Sequence, residues 1–241
     1  MHSLIGGDKF MNLLEKEQLI QEKADEFEHS SPEEVIRWAI ETFSNITFAC
    51  SFGAEDVVLV DMLQRVSPTT DIFYLDTDFH FKETYETRDR MTERYPGIPF
   101  VQVSPKITPE EQAEQYGAEL WKTDANGCCN IRKVEPLTRI LTQYEAWITG
   151  IRRDQAPTRA NAKKIEYDTK FGLVKFNPIA DWTTEDVWEY IRNNNVIYNP
   201  LHDNYYPSIG CEYCTRQVMP GEDPRAGRWS GQEKTECGLH K

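Results

Sequence analysis

The chain has 241 residues, 39% of them hydrophobic, and a formal net charge of −13. This length fits one large domain or a domain with appendages, and the acidic balance argues against a general nucleic-acid surface, which needs a basic face. No stretch approaches about 20 consecutive apolar residues, so we expect no membrane-spanning helix. The first residues show no basic segment followed by an apolar run, so we expect no secretory signal and a cytoplasmic protein.

Helical and strand patterns alternate over the first 160 residues. Residues 11–28 have apolar positions at helical spacing, and the stretch 31–43 begins with a Ser-Pro-Glu-Glu capping box. Four apolar stretches predict strands, at 45–50, 71–78, 98–105 and 145–153. The segments between them predict helices, at 56–66, 81–95, 108–121 and 130–144. This alternation indicates βαβ units and a parallel sheet, with ligands bound beyond the carboxyl ends of the strands.

The character of the sequence changes after residue 160. Residues 165–179 predict a β-hairpin around the turn "TKFG", and residues 181–195 predict a helix with Thr183 as its cap. From residue 196 the chain is rich in Asn, Pro, Gly, Tyr and Arg and has little periodicity. A run this long without regular structure is normally disordered or functional, and its cysteines and arginines favour function.

The loop "SFGAED" after the first strand is a candidate anion site. Ser51 and Gly53 let backbone N–H groups approach an anion, and the following helix adds a partial positive charge. The Lys and Gly spacing of a Walker loop is absent. An ordinary strand-to-helix turn remains the alternative.

Two pairs of cysteines form a candidate metal site. Cys128 and Cys129 are adjacent, and Cys211 and Cys214 form a CxxC pair. Clustered cysteines in a reducing compartment usually bind metal or do redox chemistry, so zinc and an iron–sulfur cluster are both open at this point. Cys50 lies inside an apolar strand, and we interpret it as a packing residue.

The sixth cysteine, Cys237, lies four residues from the end of the sequence. A reactive thiolate needs nearby cations, and Arg225, Arg228 and His240 are candidates. The stretch "GIRRDQAPTRA" adds further arginines at a predicted strand end, where guanidinium groups suit phosphate or sulfate oxygens. A stray cysteine and a solvated basic loop are the alternatives.

Together these stretches resemble the thioredoxin-dependent adenylyl-sulfate (APS) reductases. The resemblance runs from about residue 48 to 240 and rests on "SFGAEDVVLVDM", "LDTDFHFKETYE", "CCNIRKVEPL", "GIRRDQAPTRA", "PIADWTTEDVWEYI", "YNPLHDNYYPSIGCEYCTR", "GEDPRAGRW" and "ECGLH". It implies a parallel-sheet α/β fold like that of the adenine nucleotide α-hydrolases, related to the PP-loop ATP pyrophosphatases. It also implies an irregular C-terminal segment that contains cysteines and a mobile tail. The PP-loop relatives carry a double glycine, whereas this loop reads Ser51-Phe52-Gly53.

The resemblance also implies roles for particular residues. Cys237 would be the nucleophile that attacks the sulfur of APS, and reduced thioredoxin would then release sulfite. A four-iron, four-sulfur cluster without redox turnover would be held by Cys128, Cys129, Cys211 and Cys214. The other implied catalytic residues are Lys133, Arg225, Arg228 and His240. The implied substrate-binding residues are Ser51, Phe52, Gly53, Leu75, Arg152 and Arg159, although which of the arginines 152, 153 and 159 faces the substrate is open.

The resulting expectation is an enzyme that reduces APS to sulfite and AMP. Its implied parts are a helical extension (1–30), a nucleotide-binding domain with the iron–sulfur site (31–220) and a catalytic tail (221–241). The 3′-phosphorylated substrate (PAPS), alone or beside APS, is the nearest alternative. An ATP pyrophosphatase that acts as an adenylating ligase and a zinc-stabilised binding module are more distant ones. Self-association is left open, since homo-oligomers are common.

Overall fold

The computed structural model describes residues 13–239, and side-chain surroundings from residue 17. The predicted N-terminal helix is α1, from Leu13 to Glu26. His240 lies outside the described residues, so its predicted role has no structural counterpart here.

Helices flank a six-stranded sheet. The strands are β1 (Ile46–Ala49), β2 (Asp71–Leu75), β3 (Phe100–Val103), β4 (Ala146–Ile148), β5 (Ile165–Asp168) and β6 (Leu173–Phe176). The remaining helices are α2 (Pro32–Thr42), α3 (Ala54–Val66), α4 (Lys82–Arg94), α5 (Pro109–Tyr116), α6 (Leu120–Thr123), α7 (Ala125–Cys129), α8 (Glu135–Leu141) and α9 (Thr184–Asn194).

The strand order is β3-β2-β1-β4-β6-β5, and every neighbouring pair is parallel except β5 and β6. The predicted parallel α/β sheet is therefore confirmed, and so is the hairpin, whose turn ends at Gly172 with a φ of +73°. The main core contains side chains of the central strands, such as Phe48 and Ile148. Central parallel strands are covered on both faces, which explains their unbroken apolar runs.

The start of α2 forms as its sequence predicts. The Glu34 carboxylate accepts the N–H of Ser31 at 2.7 Å, and the Ser31 hydroxyl accepts the N–H of Glu34 at 3.3 Å. This reciprocal capping box satisfies two donors that an isolated helix end would leave unpaired.

The helix predicted over 108–121 is interrupted. α5 ends at Tyr116, because Gly117 takes a φ of +90° that a helix cannot continue. Beyond residue 196 the described chain has short 3₁₀ turns and isolated bridges only, as the sequence indicated.

The predicted division of the chain at residues 30 and 220 stays a prediction. α1 places Ile20 and Ala24 in the same core as the sheet. In the described part of the chain, no helix is both long and apolar enough to cross a membrane.

Candidate active site

The carboxyl ends of β1, β2 and β4 open onto one cavity of about 820 Å³. This volume falls within the roughly 300–1,000 Å³ that small-molecule pockets occupy. Ser51 and Gly53 after β1, Leu75 at the end of β2 and Gly150 after β4 all line the cavity. The cavity is therefore at the edge of the sheet where parallel α/β proteins bind their ligands.

In the predicted anion loop, Ser51 donates its hydrogen bonds to a carboxylate of the protein itself. Asp56, in the first turn of α3, accepts the backbone N–H and the hydroxyl of Ser51, both at 2.6 Å. Gly150 lies against this carboxylate, since a Cβ built on it would be 2.3 Å from Oδ1 of Asp56. Both donors of Ser51 are thus already engaged, which sequence reasoning did not anticipate.

Phe52 takes a left-handed backbone conformation with a φ of +60°, which is rare for a bulky residue. Its ring is 3% exposed and packs on the rings of Tyr74 and Phe100, at centroid distances of 5.4 and 6.2 Å. This packing stabilises a conformation that glycine usually provides. The ring therefore points into the core, and the cavity lining contains Ser51 and Gly53 on either side of it.

All three arginines in "GIRRDQAPTR" form ion pairs with carboxylates of the protein. Arg152 is buried, and its Nε and Nη2 both donate to Oε1 of Glu55, at 3.1 and 2.8 Å. Arg153 pairs with Glu28 at 2.7 Å and donates to the carbonyl of Ala162. Arg152 lines the cavity, whereas Arg153 does not.

The four predicted cluster cysteines line one small space between α7 and the C-terminal segment. All four are free thiols. Burial and the neighbouring thiols raise the pKa of Cys128 to about 11 and that of Cys214 to about 12. No three His, Cys, Asp or Glu side chains of residues 17–239 are arranged to hold a single metal ion.

Aromatic and cationic side chains surround the thiols. Trp121 stacks on Tyr213 at a centroid distance of 4.3 Å, and Phe79 packs edge-on against both. The Arg132 guanidinium lies 4.9 Å from the Phe79 ring centroid and donates to Asp78 at 3.0 Å. This shell excludes water and brings positive charge to the thiols.

The tandem cysteines lead directly into a π-helical segment, Asn130–Val134. Here the N–H of Glu135 bonds to the carbonyl of Asn130, five residues back. Pro136 follows at once, and its ring lacks an N–H and crowds the carbonyl one turn before it. The wider π turn accommodates the proline, and such segments are frequent at functional sites.

Lys133 lies on this π segment and lines both the cavity and the thiol space. Burial acts against its charge, but the thiols of Cys211 and Cys237 outweigh burial and raise the pKa of Lys133. A lysine in this position stays protonated at neutral pH. It therefore lies between the thiol space and the cavity, and its predicted catalytic role stays a prediction.

The CxxC segment is tied to Arg228 by the backbone. Thr215 and Arg228 form an antiparallel bridge, and the N–H of Trp229 bonds to the carbonyl of Cys214 at 2.9 Å. Gly227 permits this approach, because a Cβ there would lie 2.3 Å from the carbonyl oxygen of Arg216.

The Arg228 guanidinium also lies at the thiol space. It donates to the carbonyl of Ile209 at 3.1 Å and lies 4.5 Å from the Trp229 ring centroid. Its Nε is buried and has no hydrogen-bond partner among the described residues.

The tail, residues 221–239 of the described chain, lies against the body of the protein. Cys237 lines the cavity and packs in a small cluster with Ala125, Cys129 and Trp229. Its thiol is therefore next to the thiol space, and the tail places it beside the predicted cations.

The residue before Cys237 is a buried carboxylate. Glu236 accepts two parallel bonds from Arg159, at 3.0 and 2.9 Å, one from Arg225 at 3.0 Å and one from the Thr158 hydroxyl at 3.1 Å. Burial acts to raise the pKa of Glu236, but the two guanidinium groups outweigh burial and lower it. Sequence reasoning missed this role, for which adjacency to Cys237 was the only available signal.

The predicted cations thus fall into two groups. Arg152, Arg159 and Arg225 are paired with carboxylates of the protein. Lys133 and Arg228 line the cavity and form no ion pair with any carboxylate of residues 17–239. These two cations are available to an anionic ligand next to Cys237.

The fold and the cavity define a nucleotide-binding α/β protein with a cysteine-rich centre. The family model of the phosphoadenosine phosphosulfate reductase domain matches residues 45–217. The chain is 50% identical over 223 residues to the adenosine 5'-phosphosulfate reductase of Halalkalibacterium halodurans, with 92% of this chain and 96% of that protein covered. It is 46% identical to adenosine 5'-phosphosulfate reductase 2 of Bacillus subtilis over the whole of both chains. The chain therefore belongs to the phosphoadenosine phosphosulfate reductase domain family, and the resemblance stated from the sequence is confirmed.

Solved structures agree with this assignment. The phosphate complex of phosphoadenylyl-sulfate reductase from Candida auris superposes with a TM-score of 0.73 at 29% identity, covering 88% of this chain and 100% of that one. FMN adenylyltransferase from Candida glabrata, solved with FMN and an ATP analogue, shares the fold with a TM-score of 0.54 at 15% identity, covering 92% of this chain and 74% of that one. The predicted nucleotide-binding, PP-loop-related fold is thus confirmed.

Proposed function

We propose that this chain reduces adenylyl sulfate to sulfite and AMP in assimilatory sulfate reduction. The observation that carries the proposal is the position of Cys237, which lines a nucleotide-sized cavity beside the unpaired cations Lys133 and Arg228. A thiolate and an anionic substrate repel each other, so their reaction needs surplus positive charge. Relatives at 46% and 50% identity are named adenosine 5'-phosphosulfate reductases.

The nucleotide would lie along the strand ends. Ser51, Gly53 and Leu75 line this part of the cavity, and the backbone of Phe52 connects the first two. Lys133 and Arg228 lie at the sulfur end, near Cys237. His240 is proposed from the sequence to act beside them.

The first step is attack by the Cys237 thiolate on the sulfur of the sulfate group. A bond forms between Sγ and this sulfur, the sulfur–oxygen bond to the phosphate breaks, and AMP leaves with the bonding electrons. The product on the enzyme is S-sulfocysteine. Lys133 and Arg228 offset the charge of the nucleophile and of the departing phosphate.

The second step needs a dithiol reductant, for which we propose thioredoxin in the cytoplasm. One of its thiolates attacks Sγ of Cys237 and expels sulfite, and its second thiol then releases Cys237 from the mixed disulfide. The reductant is oxidised to a disulfide and supplies two electrons. The S-sulfocysteine intermediate suits this route, because a second thiol can cleave its sulfur–sulfur bond.

The donor set fits an iron–sulfur cluster of the four-iron, four-sulfur type. Cys128, Cys129, Cys211 and Cys214 are free, line one space and are enclosed by aromatic rings, and four cysteines are the usual ligands of such a cluster. When bound, the cluster would supply a cross-link between α7 and the C-terminal segment and an electrostatic influence on the site. We assign it no electron transfer, since thiols carry the electrons to sulfur.

PAPS is a second candidate substrate. The solved phosphoadenylyl-sulfate reductase, at 29% identity, shares this fold over its whole chain. The ratio of kcat/KM for the two nucleotides decides between them, because specificity is that ratio.

The test is an anaerobic assay of sulfite and AMP release from APS with reduced thioredoxin, on the wild type and Cys237→Ser. We expect activity from a brown wild type, and no activity from an equally brown Cys237→Ser variant. Cys50→Ser is the matched control and should retain activity, because this cysteine lines the same cavity but packs in the main core. A Cys237→Ser variant as active as the wild type, or release of pyrophosphate from ATP, would refute the proposal.

A further inference from the structure

A buried carboxylate is unexpected at a site that must attract anions. Glu236 is only 7% exposed, and it immediately precedes Cys237. Burying a charge is costly unless it is paired and hydrogen-bonded. Here the carboxylate accepts bonds from Arg159, Arg225 and Thr158, so it is fully compensated.

We propose that Glu236 and Arg159 form the docking pair that positions Cys237, so that Arg159 serves the tail rather than the substrate. This inference rests on the proposed function of Cys237. The two side chains form a bidentate fork, the geometry in which guanidinium–carboxylate pairs are strongest and most directional.

Arg159 has little left to offer a ligand. Its Nε and Nη2 donate to Glu236, and its Nη1 donates to Oε1 of Gln155 at 2.5 Å. Arg225 differs, because only its Nη2 is engaged, by Glu236 and by the carbonyl of Thr235. The tail therefore engages both the Nε and the Nη2 of Arg159, but only the Nη2 of Arg225 among the contacts of the described residues.

The tail is also fastened on the other side of Cys237. The Nζ of Lys170, in the turn between β5 and β6, donates to the carbonyl of Gly238, and Leu239 packs on the apolar cluster that includes Leu137. Gly238 has a φ of +85°, which turns the chain directly after the cysteine. Contacts on both sides of Cys237 thus fix the position of its thiol. Those of Glu236 are ion pairs, whereas Lys170 bonds to a backbone carbonyl.

The docking pair predicts how fast Cys237 reacts in solution. We would treat the anaerobic holoprotein with iodoacetamide and quantify carboxamidomethylation of the tail peptide by mass spectrometry. Glu236→Gln and Arg159→Met should each be alkylated about tenfold faster than wild type, the change expected on losing a charged hydrogen bond. The double variant should be no faster than Glu236→Gln alone, because that change already breaks the pair with Arg159.

Two controls separate undocking from unfolding. Glu233→Gln removes an exposed carboxylate three residues upstream and should leave the rate unchanged. Cys50, which is 4% exposed in the main core, should stay unmodified in every variant. Alkylation of Cys237 at the wild-type rate in Glu236→Gln would overturn the proposal. This outcome does not depend on which substrate the enzyme reduces.

Binding of AMP tests the other half of the assignment. The dissociation constant of AMP from Arg159→Met should stay within about twofold of wild type, while single-turnover release of AMP from APS slows at least tenfold. A tenfold loss of AMP affinity would instead make Arg159 a substrate residue and refute this role. If the wild type neither binds AMP nor turns over APS, the proposed function fails, while the alkylation result still decides the docking pair.

Discussion

Oδ2 of Asp56 accepts both the backbone N–H and the hydroxyl of Ser51, each at 2.6 Å. The donors of Ser51 in the loop after β1 are therefore occupied by a carboxylate of this chain. Burial raises the pKa of Asp56 to about 6, although the bonds from Ser51 favour its ionised form. This arrangement favours a substrate whose reacting group lies elsewhere, near Cys237.

The raised pKa of Asp56 predicts a pH dependence of stability. Between about pH 4, where a carboxyl of the unfolded chain titrates, and pH 6, the folded state binds more protons. Its free energy of unfolding should therefore fall as pH rises through this window, by an amount on the order of 2–3 kcal/mol. Urea unfolding at pH 4–7 should show this loss in the wild type and not in Asp56→Asn. Equal slopes in both proteins would contradict the prediction.

Gly150→Ala should lower the free energy of unfolding by about 1–3 kcal/mol, as overpacking does. A Cβ at this position would lie 2.3 Å from Oδ1 of Asp56, which the bonds from Ser51 hold in place. Gly97→Ala is the matched control, since its Cβ would meet no atom within 4 Å. The urea midpoints of the two variants measure their difference in stability. Equal midpoints would show that the Asp56 carboxylate moves aside without cost, and would contradict the prediction.

Arg152→Met should lose about 3 kcal/mol of stability, the low end for a buried pair, because it leaves the partly buried Glu55 without its buried partner. Adding Glu55→Gln should recover part of that loss. Arg192→Met breaks an exposed pair with Glu185 and should change stability by less than about 1 kcal/mol. Denaturant titration of all four proteins measures this. A fully stable Arg152→Met that binds AMP weakly would instead identify Arg152 as a substrate residue.

Cys211→Ser should lose bound iron and the visible absorption of the purified protein, because it removes one of the four thiols that share a space. Cys50→Ala should keep both, since Cys50 packs in the main core. Iron analysis and the visible spectrum under anaerobic conditions check this. Full iron content in Cys211→Ser would show that this thiol is not a ligand.

The elements that local patterns encode were predictable, and the pairs formed across the chain were not. Apolar runs and turn residues indicate β1 to β6. The order of the cysteine motifs, through the family resemblance, placed Cys128 and Cys211 in one site, and both line one space in the structure. The fork between Arg159 and Glu236 joins residues 77 positions apart, and no local pattern predicts it. The π segment was equally hidden, since the sequence predicted one helix over 130–144 where the structure has the π segment followed by α8.

α1 packs against β5, the strand at the end of the sheet that pairs with β6 alone. The Nζ of Lys163, just before β5, donates to Oε1 of Gln21 at 2.7 Å and ties the helix to this edge. An open strand edge offers a row of N–H and C=O groups on which another chain can add a strand and begin an aggregate. Because α1 packs against this edge strand, it restricts the approach of a second chain to β5.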